Sequence, residues 1–316
     1  MESCLMKQYS NGESVTIEAE SETGKGSLTF HPILEGVQLI FHDFHMLKVK
    51  SNFSSDKNIF CIDYCNEGRM EQEYRPNTFS YFHAGEFKMD SRLEHDCYFY
   101  FPVAHYCATT IGFEVDKAEQ AIQKVFPQFP YKIEDIKDKV CQPDSIHCLY
   151  KDEMVDLIFH QIHQAEKEND KTCIILKILE LLLYLGKMEK ESSKKTPTYF
   201  SKKNTDAVKA IQQYIAENLD HHITLDYLSE KFQMPLTTMK SCFKEVYGQP
   251  VHSYMRSLRM KTACEYLLAS NQDIANISME VGYENPSKFS AAFKREIGML
   301  PIEYRKSNRG GNHNEQ

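Results

Sequence analysis

Two stretches of the 316-residue chain place the same side-chain types at the same spacing, 50 residues apart. MPLTTMKSCFKEVYG spans residues 234–248 and ENPSKFSAAFKREIG spans 284–298. Each sets a Phe-Lys pair, Phe243-Lys244 and Phe293-Lys294, ahead of a glycine, Gly248 and Gly298. At helical period, Met239, Cys242 and Phe243 turn inward, while Leu236, Thr237, Lys240, Ser241 and Lys244 turn outward. In the second stretch Phe289, Ala292, Phe293 and Ile297 turn inward. Ser287, Lys288, Ser290, Ala291, Lys294 and Arg295 turn outward. An outward row of hydroxyls and ammonium groups suits hydrogen bonding to base edges and phosphates. Any one of these lysines alone reads as a solvated helix face. The repetition is what argues for contact.

The flanking residues predict the elements that position these rows. Thr224 is a helix N-cap, with Leu225, Leu228 and Phe232 on one face of a helix through Lys231. Gln233-Met234 breaks it, and Pro235 suits the first turn of the next helix. The segment DIANISMEVGY repeats the plan. Ile274, Ile277 and Val281 turn inward, Gly282 stops the helix, and Asn285-Pro286 opens another. Two short helices with a tight turn, the second polar outside, form the helix-turn-helix pattern. Between the copies, PVHSYMRSLRMKTACEYLLAS (residues 250–270) reads as one helix of about 30 Å. One turn of B-DNA is about 34 Å. Such a rod holds two reading helices in successive major-groove segments.

The rest of the chain has a different texture. Residues 28–113 read as short strands rich in Phe, Tyr, Ile and Val, implying an antiparallel β-barrel or sandwich. Residues 116–186 change to helical period. DKAEQAIQKVF runs to Pro127, and residues 148–169 and 171–187 form two long helices, an antiparallel hairpin. Leucines on more than one face of the last helix make it a candidate dimer surface. The expected organisation is a sensor or dimerisation domain at 1–186, with a β-barrel over about 1–114 and helices over about 115–186. A Lys- and Ser-rich linker follows at 187–204, then an all-α domain at 205–306 and a disordered tail at 307–316. The fold class is α+β in two domains.

Composition excludes several classes. With 41% hydrophobic and 26% charged residues the chain is globular rather than disordered. The net charge of −8 is uneven: residues 1–186 carry 18 Lys/Arg against 30 Asp/Glu, whereas 205–306 carry 12 of each. Bulk charge therefore does not mark a nucleic-acid binder, and local geometry must carry that reading. The N-terminus lacks a signal-type apolar region, and the apolar run 173–186 is too short to span a bilayer. No membrane is expected. The 10 scattered cysteines imply reduced thiols and a cytoplasmic protein.

The C-terminal stretch FKEVYGQPVHSYMRSLRMKTACEYLLASNQDIANISMEVGYENPSKFSAAFKREIGMLPIEYRKS closely resembles the AraC/XylS family of bacterial transcription regulators. The resemblance rests on Phe243-Lys244, Gly248, Tyr254, Arg259, Ala263, Leu267-Leu268, Ile274, Ile277, Gly282-Tyr283, Phe289, Phe293-Lys294, Gly298, Pro301 and Tyr304-Arg305. It covers about 100 residues closely and the first 190 loosely, where members often carry a cupin-like ligand-sensing or dimerising β-domain. Ser229 and Ser278 stand where the family usually has Ala. Pro235 stands where it often has Ser, and Ala291 where some members place Arg. The resemblance implies a sequence-specific transcription regulator with double-stranded DNA, a small effector, RNA polymerase and a second copy of itself as partners. It implies base contacts from Leu236, Thr237, Lys240, Ser241, Ser287, Ser290 and Ala291. Backbone contacts would come from Thr238, Lys244, Arg259, Asn285, Lys288, Lys294 and Arg295, with Arg259 equally suited to an internal pair. Lys240 has the chemistry to pair with guanine O6 and N7.

Other constellations are weaker. His42-x2-His45 and His160-x2-His163 have metal-like spacing, but no partner pair stands near either. Cys61-x3-Cys65 reads as packing. No P-loop, G-x-S-x-G or G-x-G-x-x-G occurs. No cofactor, metal or enzymatic activity is expected. Two alternatives stay open. One is a constitutive DNA binder whose first domain only dimerises. The other is a cupin-type binding protein or metalloenzyme, although His42, His45, His83, His95 and His105 do not form G-x5-H-x-H.

Overall fold

The computed structural model describes residues 5–91, 94–141, 149–188, 194–195 and 198–309. They divide into two compact units, 1–199 and 200–316. The described part of the first unit is a curled antiparallel sheet with four helices.

Ten strands open the chain: β1 Leu5–Asn11, β2 Ser14–Ser21, β3 Gly24–Leu34, β4 Val37–His45, β5 Lys48–Phe53, β6 Ile59–Arg75, β7 Thr78–His83, β8 Phe87–Ser91, β9 His95–Tyr100 and β10 Tyr106–Glu114. Two short strands, β11 Leu149–Tyr150 and β12 Lys194–Lys195, come later. Along the sheet the order is β1-β2-β3-β4-β10-β6-β8-β11-β12, with β7 and β9 also on β6 and β5 on β9. Sequence reading began the strands at residue 28 and missed β1 and β2. β1 is mostly polar, but β2 alternates Val15, Ile17 and Ala19 with Thr16, Glu18 and Glu20, and Asn11-Gly12 between them is a strong hairpin signal, with Gly12 at φ 61°. β12 also corrects the linker reading, since part of 187–204 pairs with β11. Residues 189–193 and 196–197 of that linker lie outside the described residues.

The long strand β6 changes partners midway. Its first half lies between β10 and β8, and its second half pairs with β7. Gly68 sits at the change with φ 77°, and a Cβ there would stand 2.0 Å from the His105 carbonyl oxygen. Only glycine fits so close an approach.

Helices α1 Val115–Val125, α2 Ile133–Val140, α3 Glu153–Lys167 and α4 Lys171–Lys187 cover the outer face of the sheet. Sequence reading missed α2, a short helix that buries Ile133, Ile136 and Val140. The third helix starts later than residue 148, because Asp152 caps it by accepting from the Met154 and Val155 amides. Asp152 also accepts from the Tyr184 hydroxyl on α4 at 2.7 Å, which ties the two long helices together. The Tyr64 hydroxyl of β6 donates to Asp156 of α3, and the two rings Tyr64 and Phe159 stack 4.7 Å apart. Ile158, Phe159, Ile162, Leu181, Leu182 and Leu185 close the layer between helices and sheet. Burying six such side chains contributes roughly 1.5–3 kcal/mol each, before conformational entropy is set against it.

The second unit is helical: α5 Lys202–Glu217, α6 Leu225–Lys231, α7 Leu236–Tyr247, α8 Val251–Ala269, α9 Ile274–Glu280, α10 Pro286–Ile297 and α11 Pro301–Arg309. α11 reaches three residues into the stretch expected as a disordered tail. Residues 310–316 of that tail lie outside the described residues. The 19-residue α8 is about 28 Å long. Its first half buries Val251 and Met255 beside α7, and its second half buries Met260, Ala263 and Leu267 with α9 and α10. Two cores thus form on one rod.

Candidate nucleic-acid interface

Each half of the helical unit is a helix pair closed by the same backbone device. After α6 the Met234 amide donates to the Ser229 carbonyl and the Gln233 amide to the Glu230 carbonyl. After α9 the Tyr283 amide donates to Ser278 and the Gly282 amide to Met279. This is the Schellman closure, which needs a left-handed residue just past the helix. Gly282 supplies it at φ 78°, and Gln233 supplies it at φ 50° with a side chain attached. Of the two serines at these places, only Ser229 bonds across its turn, while Ser278 bonds back within its own helix. Ser229 donates its hydroxyl to the Met234 carbonyl at 2.7 Å, and the fully buried Ser278 donates to Ala275 at 2.8 Å.

The aromatic packing repeats as well. Phe243 meets Tyr254 edge-on at 5.4 Å and 74°, and Phe293 meets Tyr304 at 5.6 Å and 74°. The 50-residue repeat therefore extends into the following helices, and the inward phenylalanines fix which faces of α7 and α10 turn out. Both helices end on a left-handed glycine, Gly248 at φ 80° and Gly298 at φ 89°.

On α7, Thr237, Lys240, Ser241 and Lys244 are exposed, and Leu236 and Thr238 are partly buried. On α10, Ser287, Lys288, Ala291, Lys294 and Arg295 are exposed, and Ser290 is partly buried. Pro235 heads α7 without a side-chain cap. Asn285 does cap α10, its side-chain oxygen accepting from the Ser287 and Lys288 amides at 2.8 and 3.2 Å.

Arg259 differs from the other residues expected to meet DNA backbone. Its guanidinium donates to the His221 carbonyl at 2.8 Å and the Gly282 carbonyl at 3.2 Å, and lies over the Tyr283 ring at 5.8 Å. Burial lowers its pKa from the ordinary arginine value, with Tyr283 and Asp220 acting the other way. Of the two uses expected for it, the internal pairing is the one this geometry displays. It binds the turn after α9 to the loop after α5.

The first unit holds a second feature that sequence reading did not find. A cavity of about 700 Å³ opens inside the curled sheet, lined by Ile17, Phe30, Ile40, Phe44, Phe99 and Phe113 among others. A hydrogen-bonded chain of polar groups borders it. His42 Nε2 meets the Thr110 hydroxyl at 2.9 Å, and Thr110 donates to Asp63 at 2.5 Å. Lys88 lies 3.4 Å from Asp63 and 3.5 Å from Asp90. Strand alternation puts His42, Asp63 and Thr110 on the concave side, but nothing in the linear sequence pairs them.

No helix among the described residues is long and apolar enough to cross a membrane. The cysteines among the described residues are free thiols.

Residues 228–307 match a family model described as a helix-turn-helix domain. The multiple antibiotic resistance protein MarA of Escherichia coli K12 is 28% identical over 113 residues, covering 35% of this chain and 89% of MarA. The transcriptional activator RhaS of Mannheimia succiniciproducens is 30% identical over 93 residues, 29% of this chain. The match spans only 35% of RhaS, about a third of that relative's length. Among solved structures, the C-terminal domain of the response regulator yesN from Fusobacterium nucleatum is 31% identical. It aligns over 32% of this chain and 98% of its own, with a TM-score of 0.31. The C-terminal region is thus an AraC-type helix-turn-helix domain, of the kind carried by DNA-binding transcription regulators.

Proposed function

We propose that the chain is a sequence-specific transcription regulator whose α7 and α10 act as the reading helices of two helix-turn-helix units, set in successive major-groove segments by α8. The carrying observation is the exposed row Thr237, Lys240, Ser241 and Lys244 on α7, with Ser287, Ser290, Ala291 and Lys294 at the same positions 50 residues later on α10, all exposed but the partly buried Ser290. Thr237, Lys240, Ser241, Ser287, Ser290 and Ala291 address base edges, with Leu236 and Ala291 offering apolar contact to thymine methyl groups. Lys244, Lys288, Lys294, Arg295, Thr238 and Asn285 hold phosphates and set register. Arg259 acts as a strut that keeps the second unit's turn in place.

The first unit, in the cupin-like reading, is the regulatory half. Its cavity suits a small, largely apolar effector with one polar end directed at the His42–Thr110–Asp63 chain. The outer faces of α3 and α4 expose Met154, Leu157 and Leu176, which supports self-association through the helical hairpin. RNA polymerase is the further partner of such a regulator, which works in the cytoplasm. A purely structural first unit is the competing reading, and a thermal-shift screen of metabolites separates the two, because a true effector raises Tm by mass action.

The deciding experiment is selection from a random duplex library, with the full chain and the fragment 205–316 in parallel. The expected result is one enriched motif with two elements about one helical turn apart. Enrichment by the fragment alone means that the first unit blocks DNA until its effector binds. Failure of both to enrich any motif refutes the DNA-reading assignment of α7 and α10.

A further inference from the structure

The convex face of the sheet carries a second cluster, outside the cavity and the DNA-reading helices. Leu39, Phe41, Asp43 and His45 alternate along one face of β4, and Cys107 lies opposite Asp43 on β10. Glu67 lies opposite Cys107 from the other side, on β6. This placement depends on a bulge. Ala108 pairs with Cys65 but Cys107 pairs with Glu67, so Asn66 is an extra residue in β6. In a regular ladder Asn66 would take the place opposite Cys107, and Glu67 would face Tyr106, on the buried side. Bulges re-aim side chains in this way.

The contacts form a ring of donor atoms. His105 Nε2 stands 2.9 Å from Glu67 Oε2 and 3.9 Å from Cys107 Sγ. Cys107 Sγ stands 3.3 Å from Asp43 Oδ1. Ligand atoms from Glu67, His105 and Cys107 all lie within 4.8 Å of one another. A tetrahedral zinc ion with bonds of about 2.0–2.3 Å holds its ligands roughly 3.3–3.8 Å apart. His105 Nδ1 faces His45 Nδ1 at 3.3 Å, and His45 Nε2 lies 2.9 Å from Asp43 Oδ1. The His45 and His105 rings stack 5.0 Å apart, which turns His105 Nε2 toward Glu67 and Cys107 and His45 Nε2 toward Asp43.

We propose that Asp43, Glu67, His105 and Cys107 form a site for one divalent transition-metal ion of the zinc class, with His45 hydrogen-bonded behind it to orient His105 and Asp43. Nitrogen, thiolate and carboxylate ligands together suit this class and not calcium or magnesium. Binding forms a metal–sulfur bond and releases the Cys107 proton to solvent. The proposal departs from the expectation of no metal, and it uses His45 without His42. Three residues apart on a strand, those two face opposite sides, and His42 belongs to the cavity.

The test is titration of the chelator-stripped full chain with cobalt(II). One equivalent should bind, with a thiolate-to-cobalt charge-transfer band that zinc abolishes by displacement. Cys107→Ser should remove the band, and His105→Ala and Glu67→Gln should each weaken binding at least tenfold. Cys97→Ser, on the exposed β9, should change nothing. Melting curves confirm that each variant folds, and if Cys107→Ser does not fold, the surface variant Glu67→Gln decides alone. A folded wild type without the band, a band that survives Cys107→Ser, or full binding by Glu67→Gln overturns the site. None of these readouts involves DNA.

Discussion

Lys240 and Lys244 stand one helical turn apart on the same exposed face of α7, yet different work is expected of each. Replacing Lys240 by Ala should weaken binding to the preferred site by about 1–3 kcal/mol and relax preference at one base pair, as read by competition between single-position site variants. Loss spread evenly over all sequences would instead make Lys240 a phosphate contact. Lys244→Ala should weaken every sequence alike and reduce the salt slope by about one. Gly282 is a separate case, because its role is structural. At φ 78° its added Cβ would lie 2.3 Å from the Leu219 carbonyl and 2.6 Å from the Arg259 guanidinium. Left-handed strain alone is of order 1–3 kcal/mol, so Gly282→Ala should destabilise the helical unit by more than about 2 kcal/mol in urea unfolding. Gln233 occupies the equivalent position in the first copy with open surroundings, which is why a side chain is tolerated there.

At the scale of elements, α3 carries a titratable group packed against the sheet. His163 on α3 meets Phe41 of β4 edge-on at 5.9 Å, and its Nδ1 is buried without a hydrogen-bond partner among the described residues. Burial lowers its pKa first, then Lys167, while Glu166 and Glu67 pull the other way. The folded chain therefore binds this proton less readily than the unfolded chain does. Stability rises with pH through the window below the ordinary imidazole value of about 6.5, and falls as the medium is acidified through it. His163→Phe should flatten that part of the Tm-against-pH curve, and an unchanged slope would remove His163 as its cause. The partly buried Lys88, held between Asp63 and Asp90, gives a larger effect. Lys88→Met takes the ammonium away from both Asp63 and Asp90 and should cost about 3–5 kcal/mol at neutral pH, measured by denaturant unfolding.

For the whole molecule, charge and exposed apolar surface make the predictions. Residues 205–306 balance 12 basic against 12 acidic residues, so weak non-specific attraction to DNA is expected, with the proposed rows on α7 and α10 left to carry affinity. A plot of log K against log salt should have a slope set by roughly 5–8 phosphate contacts per protomer. Leu157 and Leu176 are 50% and 60% exposed on the helical hairpin. If they form the self-association surface, Leu176→Glu should shift the chain to monomer in sedimentation without lowering its Tm. An unshifted dimer would place the interface elsewhere.

The sequence by itself determined the two helix pairs and α8 almost to the residue, while α5 and α11 went without bounds and the expected linker ran over the first residues of α5. Thr224, Pro235, Asn285, Gly248, Gly282 and Gly298 act within a few positions of their own helix, and the inward Phe243 and Phe293 obey a local period. Local signals of that kind need no knowledge of distant parts of the chain. The rows on α7 and α10 were legible for the same reason. Arg259 was not, because its partners at His221 and Gly282 stand 38 and 23 positions away. The sheet was legible only as a set of strands. β1 was lost because it is mostly polar and β2 was lost despite its alternation of Val15, Ile17 and Ala19 with polar residues, and the pairing order depends on contacts between strands far apart in sequence. Only the tertiary structure brought His42, Asp63, Lys88 and Thr110 to one cavity, or Asp43, Glu67, His105 and Cys107 to one convex patch. One extra residue in β6 decides which face Glu67 takes, and register across three strands is a property that no local pattern encodes.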